Sequence, residues 1–567
     1  MQFVKQHYFL LLIIVLAIGL RLWGVNFGLP FQFHQDEPIV VNHALAYGTG
    51  DFNPHFFIIP PLTSYLLFIL YALYFIVMSI VGSIKGSEQF ALSFFQDPTS
   101  FYLIGRIGLG VVPSVLCVFG VYALSRKFFS VSASLFSALV MALASLNVIH
   151  AKYIYPDNLL VLCVILVMQQ LISLLKEPKT RIYLSAGILT GIAIATKYNA
   201  GVLIGSLLVA HAFVCDGKNR VTFVNKKLAV FLLGSALAFF VCNPFALFDG
   251  KFFFESVTGK IRHSYMGWAH HIVYSLFEGA GFFVTLSGII GLCFALQKKR
   301  KHVLVMLSFC VLFYLHLVFT SQEYPRYVLA LIPFIAMGAG YLYFELLLPR
   351  ATKKSWRIII VASAFAALIP SAAKSIKADL LFAKKDTRIE AAEWFQKTVA
   401  AQAKIACDHT FFRPAILQSR NQLIEKERIL DKQPELSGLK AKKLAMQMKA
   451  LDSVKGKTFN VYFLAGDDEF SGQFLNFWPV IGMSLEGLQE AGIEYVVFSN
   501  INPSESAKML HSKIASRFEL VAEFSPYTNG GFAKPRDLYE LTGLPLSTEE
   551  LFARVKPGPS MVIYRLR

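Results

Sequence analysis

The feature that most constrains this chain is a series of apolar runs long enough to cross a lipid bilayer, which takes about 20 residues per helix. They lie near residues 8–25, 102–124, 130–149, 158–175, 227–246, 274–296, 302–320, 327–348 and 357–373, and 182–214 has room for two short spans. The pattern predicts an α-helical polytopic membrane protein of about eleven transmembrane helices. Composition agrees. Of 567 residues 55% are hydrophobic and 16% charged, against roughly 25% charged in soluble domains, and the mean hydropathy is +0.54. A soluble enzyme and a disordered chain are both excluded.

The formal charge of +18 would suggest nucleic acid in a soluble protein, but in a membrane protein Lys and Arg first report topology. The basic clusters are Arg126-Lys127, Lys176/Lys179/Arg181, Lys218/Arg220/Lys226/Lys227, Lys298-Lys299-Arg300-Lys301 and Arg350/Lys353/Lys354/Arg357. All fall on one side if the apolar stretch 62–82 does not cross. That stretch is therefore expected as a helix or re-entrant hairpin on the outer side, with the N-terminus cytoplasmic and the protein multi-pass in the cell (inner or plasma) membrane. No nucleic-acid partner is expected. The seven cysteines are scattered through apolar runs without a CxxC pair, so neither a zinc site nor a disulfide framework is indicated. Residues 8–25 lack a small-residue cleavage site and read as a retained first span.

This topology gives residues 1–373 a transmembrane domain whose outer loop is 26–101, and leaves 374–567 outside. The tail changes character: Lys, Glu and Asp become frequent, and short strand-like runs occur at Lys404 to Ala406, Val461 to Leu464, Tyr495 to Phe498 and Val562 to Tyr564, beside an amphipathic helix at Arg388 to Val399. It is expected to be an extracytoplasmic mixed α/β domain. The pair Gly187 and Gly191 has the spacing of close helix packing.

Chemistry is to be sought on the outer side. His34-Gln-Asp-Glu-Pro38 follows the first span, and Gly50-Asp-Phe-Asn-Pro-His55 and Pro60-Pro61-Leu62 come after it. The adjacent carboxylates Asp36 and Glu37 suit a general base or a metal ligand; a solvated loop with an acidic helix cap explains them equally. Asp157 opens the helix after His150-Ala-Lys-Tyr-Ile-Tyr-Pro, where capping alone would also account for it. Lys197 lies between two short helices, where an unpaired ammonium would cost roughly 2.5–3.5 kcal/mol at mid-bilayer, so either an anion offsets it or it snorkels. Arg326 starts another span from the outer side. The loop 247–273 is basic, with Lys251, Lys260, Arg262, His263, His270 and His271, which suits an anionic headgroup or a lipid surface.

These motifs resemble a known family. Gln35-Asp36-Glu37, Gly50-Asp-Phe-Asn-Pro-His55, Pro60-Pro-Leu62, Tyr155-Pro-Asp157, the Thr-Lys-Tyr-Asn199 ending of residues 187–199, Asn243-Pro-Phe245, Pro325-Arg-Tyr327 and Asp386-Thr-Arg388 are similar to bacterial and archaeal relatives of dolichyl-phosphate-mannose protein mannosyltransferases. That is glycosyltransferase family 39, close to the lipid A aminoarabinose transferases, with a GT-C fold. The resemblance covers most of the membrane part and the start of the tail.

It implies an inverting transfer of a hexosyl or pentosyl unit from a polyprenyl-phosphate-linked donor to a protein, lipid A or glycan-lipid acceptor on the outer face, among membrane lipids. Asp36 would be the general base, with Glu37 and Asp157 orienting the acceptor, the sugar hydroxyls or Asp36 itself. Lys197, Arg262 and Arg326 would meet the donor phosphate, with His55 beside it. The scheme demands no metal, although Asp36, Glu37 and Asp157 are compatible with Mg²⁺ or Mn²⁺. Two other classes share the gross pattern: a transporter or flippase for a lipid-linked or anionic substrate, and a non-catalytic scaffold of surface-glycan assembly. Transporters place polar breaks at the midplane and show repeat symmetry, whereas here the polar residues gather in outer loops.

Overall fold

The computed structural model describes residues 2–215, 223–258, 268–319, 324–409, 412–431, 437–453, 456–465, 479–500, 504–528, 530 and 546–566. Among them six helices are long and apolar enough to cross a membrane: Leu62–Ile80, Thr99–Ser125, Asp157–Leu174, Arg300–Val318, Pro325–Arg350 and the compound run Lys354–Thr398. A seventh candidate is a pair, His271–Ala280 and Phe282–Lys298, bent by 110° at Gly281, whose φ of 96° suits a residue without a Cβ. Shorter apolar helices are His7–Leu22, Val131–Leu143, Thr180–Thr196 and Tyr198–Val214. The chain is thus a mostly helical protein with several apolar helices.

Close approach of backbones holds the bundle together. A Cβ at Gly187 or Gly191 would collide with the carbonyl oxygens of Phe231 and Ser235, and one at Gly291 with the carbonyl of Gly338. Where lipid is as apolar as leucine, such backbone contact replaces the hydrophobic effect as the main attraction between helices.

Residues 62–82 form one continuous helix, Leu62–Ile80, and no hairpin. In its second half Tyr74 and Phe75 pack on Phe90 in tilted and edge-on geometry, with ring centroids 5.7 and 5.2 Å apart. The helix carrying Phe90, Ser87–Gln96, is tied to the C-terminal part through Lys449–Glu88 at 2.5 Å and through Gln96, which donates to Ser453 at 3.2 Å.

The chain stays helical past residue 373, through Ile369–Phe382, so a boundary at 373/374 cuts a helix that packs on the transmembrane bundle. The α/β unit begins at Thr387–Thr398. Its six strands are β1 (Lys404–Cys407), β2 (Asn460–Ala465), β3 (Val480–Gly482), β4 (Tyr495–Ser499), β5 (Glu519–Phe524) and β6 (Met561–Arg565), in the order β3-β2-β1-β4-β6-β5. The first four run parallel, and β6 is antiparallel to both β4 and β5. The inner strands are buried on both faces. Ile405, Val461, Val497 and Ile563 face one core, while Ala406, Leu464, Val496 and Val562 face the other, as a helix-covered sheet requires.

Buried polar contacts hold Ile369–Phe382 on the bundle and bring the start of the α/β unit to the outer loop. Lys152 meets Asp379 at 2.7 Å with both side chains fully buried. Arg388, paired with Asp386 at 2.8 Å, lies 3.7 Å over the ring of Phe33, three residues before Asp36.

Candidate functional site

Three helix starts and one helix end converge on a small polar cluster. Asp36 is the N-cap of Glu37–Ala46, with Pro38 in the first turn. Asp157 is the first residue of Asp157–Leu174, after Pro156. Both positions place a carboxylate at the positive end of a helix. Arg326 lies in the opening 3₁₀ turn Pro325–Leu331. Lys197 caps the C-terminal end of Thr180–Thr196 in extended conformation, φ −158°, which lifts its side chain off the helix.

The four residues alternate in charge. Arg326 Nη2 donates to Asp36 Oδ2 at 3.1 Å, Arg326 Nε lies 3.9 Å from Asp157 Oδ2, and Lys197 Nζ donates to Asp157 Oδ1 at 2.6 Å. Tyrosines wall the cations: Arg326 lies 4.9 Å from the ring of Tyr155 and 4.4 Å from that of Tyr324, and Lys197 4.6 Å from that of Tyr327. The Asp36 side chain retains 17% exposure and that of Lys197 16%, against 4% for Arg326 and 5% for Asp157. The opening is therefore on the Asp36 and Lys197 side. Among the described residues, Arg326 Nε and Nη1 and Asp157 Oδ2 are buried without a hydrogen-bond partner. Unmet polar atoms of this kind are costly, and two of the three are donors of a cation.

Glu37 takes a different place from the one expected. It is fully buried and held by Arg106 in a two-pronged pair, Nε to Oε1 at 2.9 Å and Nη2 to Oε2 at 2.8 Å, while the Ile154 amide donates to Oε1 at 3.1 Å. Arg106 Nη1 also donates to the carbonyls of Val25 and Phe27, each at 2.9 Å. Glu37 is thus spent behind the site, fixing the loops that carry Asp36 and Asp157, and has no lone pair directed at an acceptor. His34 adds a further brace: its Nδ1 accepts the Asp36 amide at 3.1 Å, and burial holds the imidazole neutral, with its pKa pushed down to about 3.

One other expected residue is not brought in. His55 is on the surface, 3.0 Å from Asp51, because the loop turns there with a φ of 47°. Arg262 lies outside the described residues. A divalent cation shared by Asp36, Glu37 and Asp157 does not fit the arrangement: Glu37 is turned to Arg106, and the guanidinium of Arg326 lies between the other two carboxylates. Among the described residues no group of three His, Cys, Asp or Glu side chains is placed to hold a metal ion.

Arg106 was not anticipated from sequence, and neither was the full tyrosine wall. The signal for Arg106 was present: an arginine within an apolar span needs a partner, and the nearest outer acidic motif supplies it.

Residues 106–248 match the family model described as Dolichyl-phosphate-mannose-protein mannosyltransferase. No curated protein matches the sequence. Among solved structures, ArnT from Cupriavidus metallidurans in the apo state is similar at 12% identity, covering 98% of this chain and 97% of that one, with a TM-score of 0.51. The Archaeoglobus fulgidus oligosaccharyltransferase in the apo form shares 12% identity over 94% of this chain and 74% of its own, TM-score 0.48. Arabinofuranosyltransferase AftD from Mycobacteria shares 12% over 99% of this chain and 40% of its own, TM-score 0.45. The matched segment contains Arg106, Asp157 and Lys197, and the likeness to ArnT spans nearly the whole chain. Residues 106–248 are thus similar to the Dolichyl-phosphate-mannose-protein mannosyltransferase family, and over nearly its whole length the chain shares the fold of ArnT.

Proposed function

We propose that this protein is a membrane-embedded inverting glycosyltransferase that moves a sugar from a polyprenyl-phosphate-linked donor to an acceptor hydroxyl or amine on the outer face. The observation that carries the reading is the pair of unpartnered, buried Arg326 donors beside an accessible Asp36 carboxylate. A cation with free N–H groups suits a phosphate, and the family description over residues 106–248 supports a sugar linked to a lipid phosphate.

The reaction follows from the order of charges. Asp36 accepts the acceptor's proton as the new bond to the anomeric carbon forms. The bond from that carbon to the phosphate oxygen breaks, and its electrons leave on the polyprenyl phosphate. Arg326 and Lys197 meet that developing charge in a site walled by tyrosines, where fixed cations act more strongly than in water. Asp157 holds both cations in place. Arg262 is assigned to the same phosphate. Inversion is expected because attack and departure occur on opposite faces in one displacement. We place the N-terminus in the cytoplasm, with about eleven spans and the α/β unit from Thr387 onward outside the cell membrane. The sugar, hexosyl or pentosyl, and the acceptor, protein, lipid A or glycan lipid, are left as classes.

The test is Asp36→Asn, which keeps shape and removes the base. Transfer from a radiolabelled polyprenyl-phosphate sugar by the purified protein in liposomes is expected to fall by roughly 10²–10⁴-fold, with thermal unfolding unchanged. Full transfer by the variant would refute the assignment of the base. Movement of the lipid-linked substrate across the liposome without transfer would refute the reading as an enzyme.

A further inference from the structure

A built cavity lies outside the polar cluster. The helix pair His271–Ala280 and Phe282–Lys298 bends by 110° at Gly281, and inside the bend, against Ile369–Phe382 and the start of Thr548–Ala553, is a cavity of about 340 Å³. None of Asp36, Asp157, Lys197 or Arg326 lines it. Its walls are Val273, Phe277, Phe282 and Phe283 and its polar groups include Glu278 and Lys374.

The charges there are unevenly spent. Lys374 Nζ is 2.5 Å from Glu278 Oε2 and its side chain is 3% exposed; it also donates to the Glu278 carbonyl at 2.7 Å. The Thr548 amide and hydroxyl donate to the same Oε2 at 2.9 and 2.7 Å. Every one of these donors reaches Oε2. Oε1 accepts from none of them, and the Glu278 side chain keeps 28% exposure. An open carboxylate oxygen beside aromatic faces suits a ligand with an ammonium bearing N–H groups. The cation Lys374 is engaged, so a purely anionic ligand finds no free partner.

The apolar side points to the bilayer. Val273, Phe282 and Phe283 are 58%, 47% and 55% exposed. Below them Leu286, Ile290 and Phe294, exposed by 42%, 38% and 43%, continue one face of Phe282–Lys298 at helical spacing, toward the basic end at Lys298–Lys301. A headgroup in the cavity would therefore have its acyl chains along this strip.

We propose that this cavity binds a membrane lipid with a primary-ammonium headgroup, of the phosphatidylethanolamine type, at a site separate from the transfer centre. The bound lipid would bridge the spans and the C-terminal part, since Thr548 closes the cavity from that side.

The experiment is native mass spectrometry of the full chain released from nanodiscs of equal phosphatidylethanolamine, phosphatidylcholine and phosphatidylglycerol. Phosphatidylethanolamine is expected to be retained in preference to phosphatidylcholine, whose quaternary nitrogen has no N–H to donate, and to phosphatidylglycerol. Glu278→Gln is expected to reduce that retention roughly tenfold, the worth of one charged hydrogen bond. Because Glu278 also holds Lys374 and Thr548, Val273→Trp serves as a second variant that fills the cavity from its lipid-facing wall and leaves those bonds intact. Equal retention of the three lipids, preference for phosphatidylglycerol, or undiminished phosphatidylethanolamine on a folded Val273→Trp protein would each overturn the proposal.

Discussion

At the scale of single residues, two neighbouring acids have opposite fates. Asp36 remains in reach of solvent with one arginine, whereas Glu37 is sealed against another. Removing one partner of a buried pair leaves an uncompensated charge and costs about 3–5 kcal/mol. Arg106→Ala is accordingly expected to lower the melting temperature sharply in detergent, more than Arg106→Lys, which keeps the charge but loses the fork. If both variants melt like the parent, the pair does not brace the site. The Asp-Glu motif was legible in sequence as acids that matter; which of the two faces the cleft was not, because a single residue of helical advance turns the side chain by about 100°. Only the position of Arg106 decided it.

At the scale of elements, the helix Leu62–Ile80 has the length and apolarity of a span, and we propose that it stays on the outer side, where it packs on Ser87–Gln96. Cysteines introduced at Thr49 and Ser83, on either side of it, are expected to react from the same side of the membrane with an impermeant maleimide in a background lacking the native cysteines. Labelling from opposite sides would show that the helix crosses. In the sheet, the inner strands β1, β2, β4 and β6 were readable as apolar runs, while β3 and β5 were not. Both are edges, and β5 carries Glu519 and Glu523, as exposed edges tend to. The π-helical turns at Arg106–Val111, His271–Leu276 and Leu342–Leu347 also escape sequence reading, since an extra residue in a turn is set by tertiary contacts.

At the end of β1, burial pushes the Asp408 carboxyl up to about 7, against the opposing effect of the Ser499 amide. The folded state then binds this proton more tightly than the unfolded chain, so its contribution to stability is present at low pH and is lost as pH rises from about 4 to 7. Asp408→Asn is expected to gain thermal stability relative to the parent across that window and to show a constant difference above it. An unchanging difference from pH 4 to 8 would disprove the shift.

At the scale of the whole molecule, the C-terminal part reaches the loop of the candidate base through Arg388 over Phe33. Catalysis tolerates little displacement of a positioned group. Arg388→Ala is expected to lower kcat for transfer at least tenfold, roughly the cost of a misplaced base, with little change in KM for the lipid-linked donor. A variant that loses donor affinity and keeps kcat would mean that the stack serves binding instead.

Sequence alone determined that the chain is a polytopic helical protein with an α/β tail, because hydrophobic run length and charge bias are local properties that the bilayer reads directly. It also named Asp36, Asp157, Lys197 and Arg326 individually. Only the tertiary structure joined them into the series Asp36, Arg326, Asp157 and Lys197, withdrew Glu37 to Arg106, and left His55 at the surface. Those outcomes depend on which helix ends meet, and residues 290 positions apart, such as Asp36 and Arg326, carry no local mark of their contact.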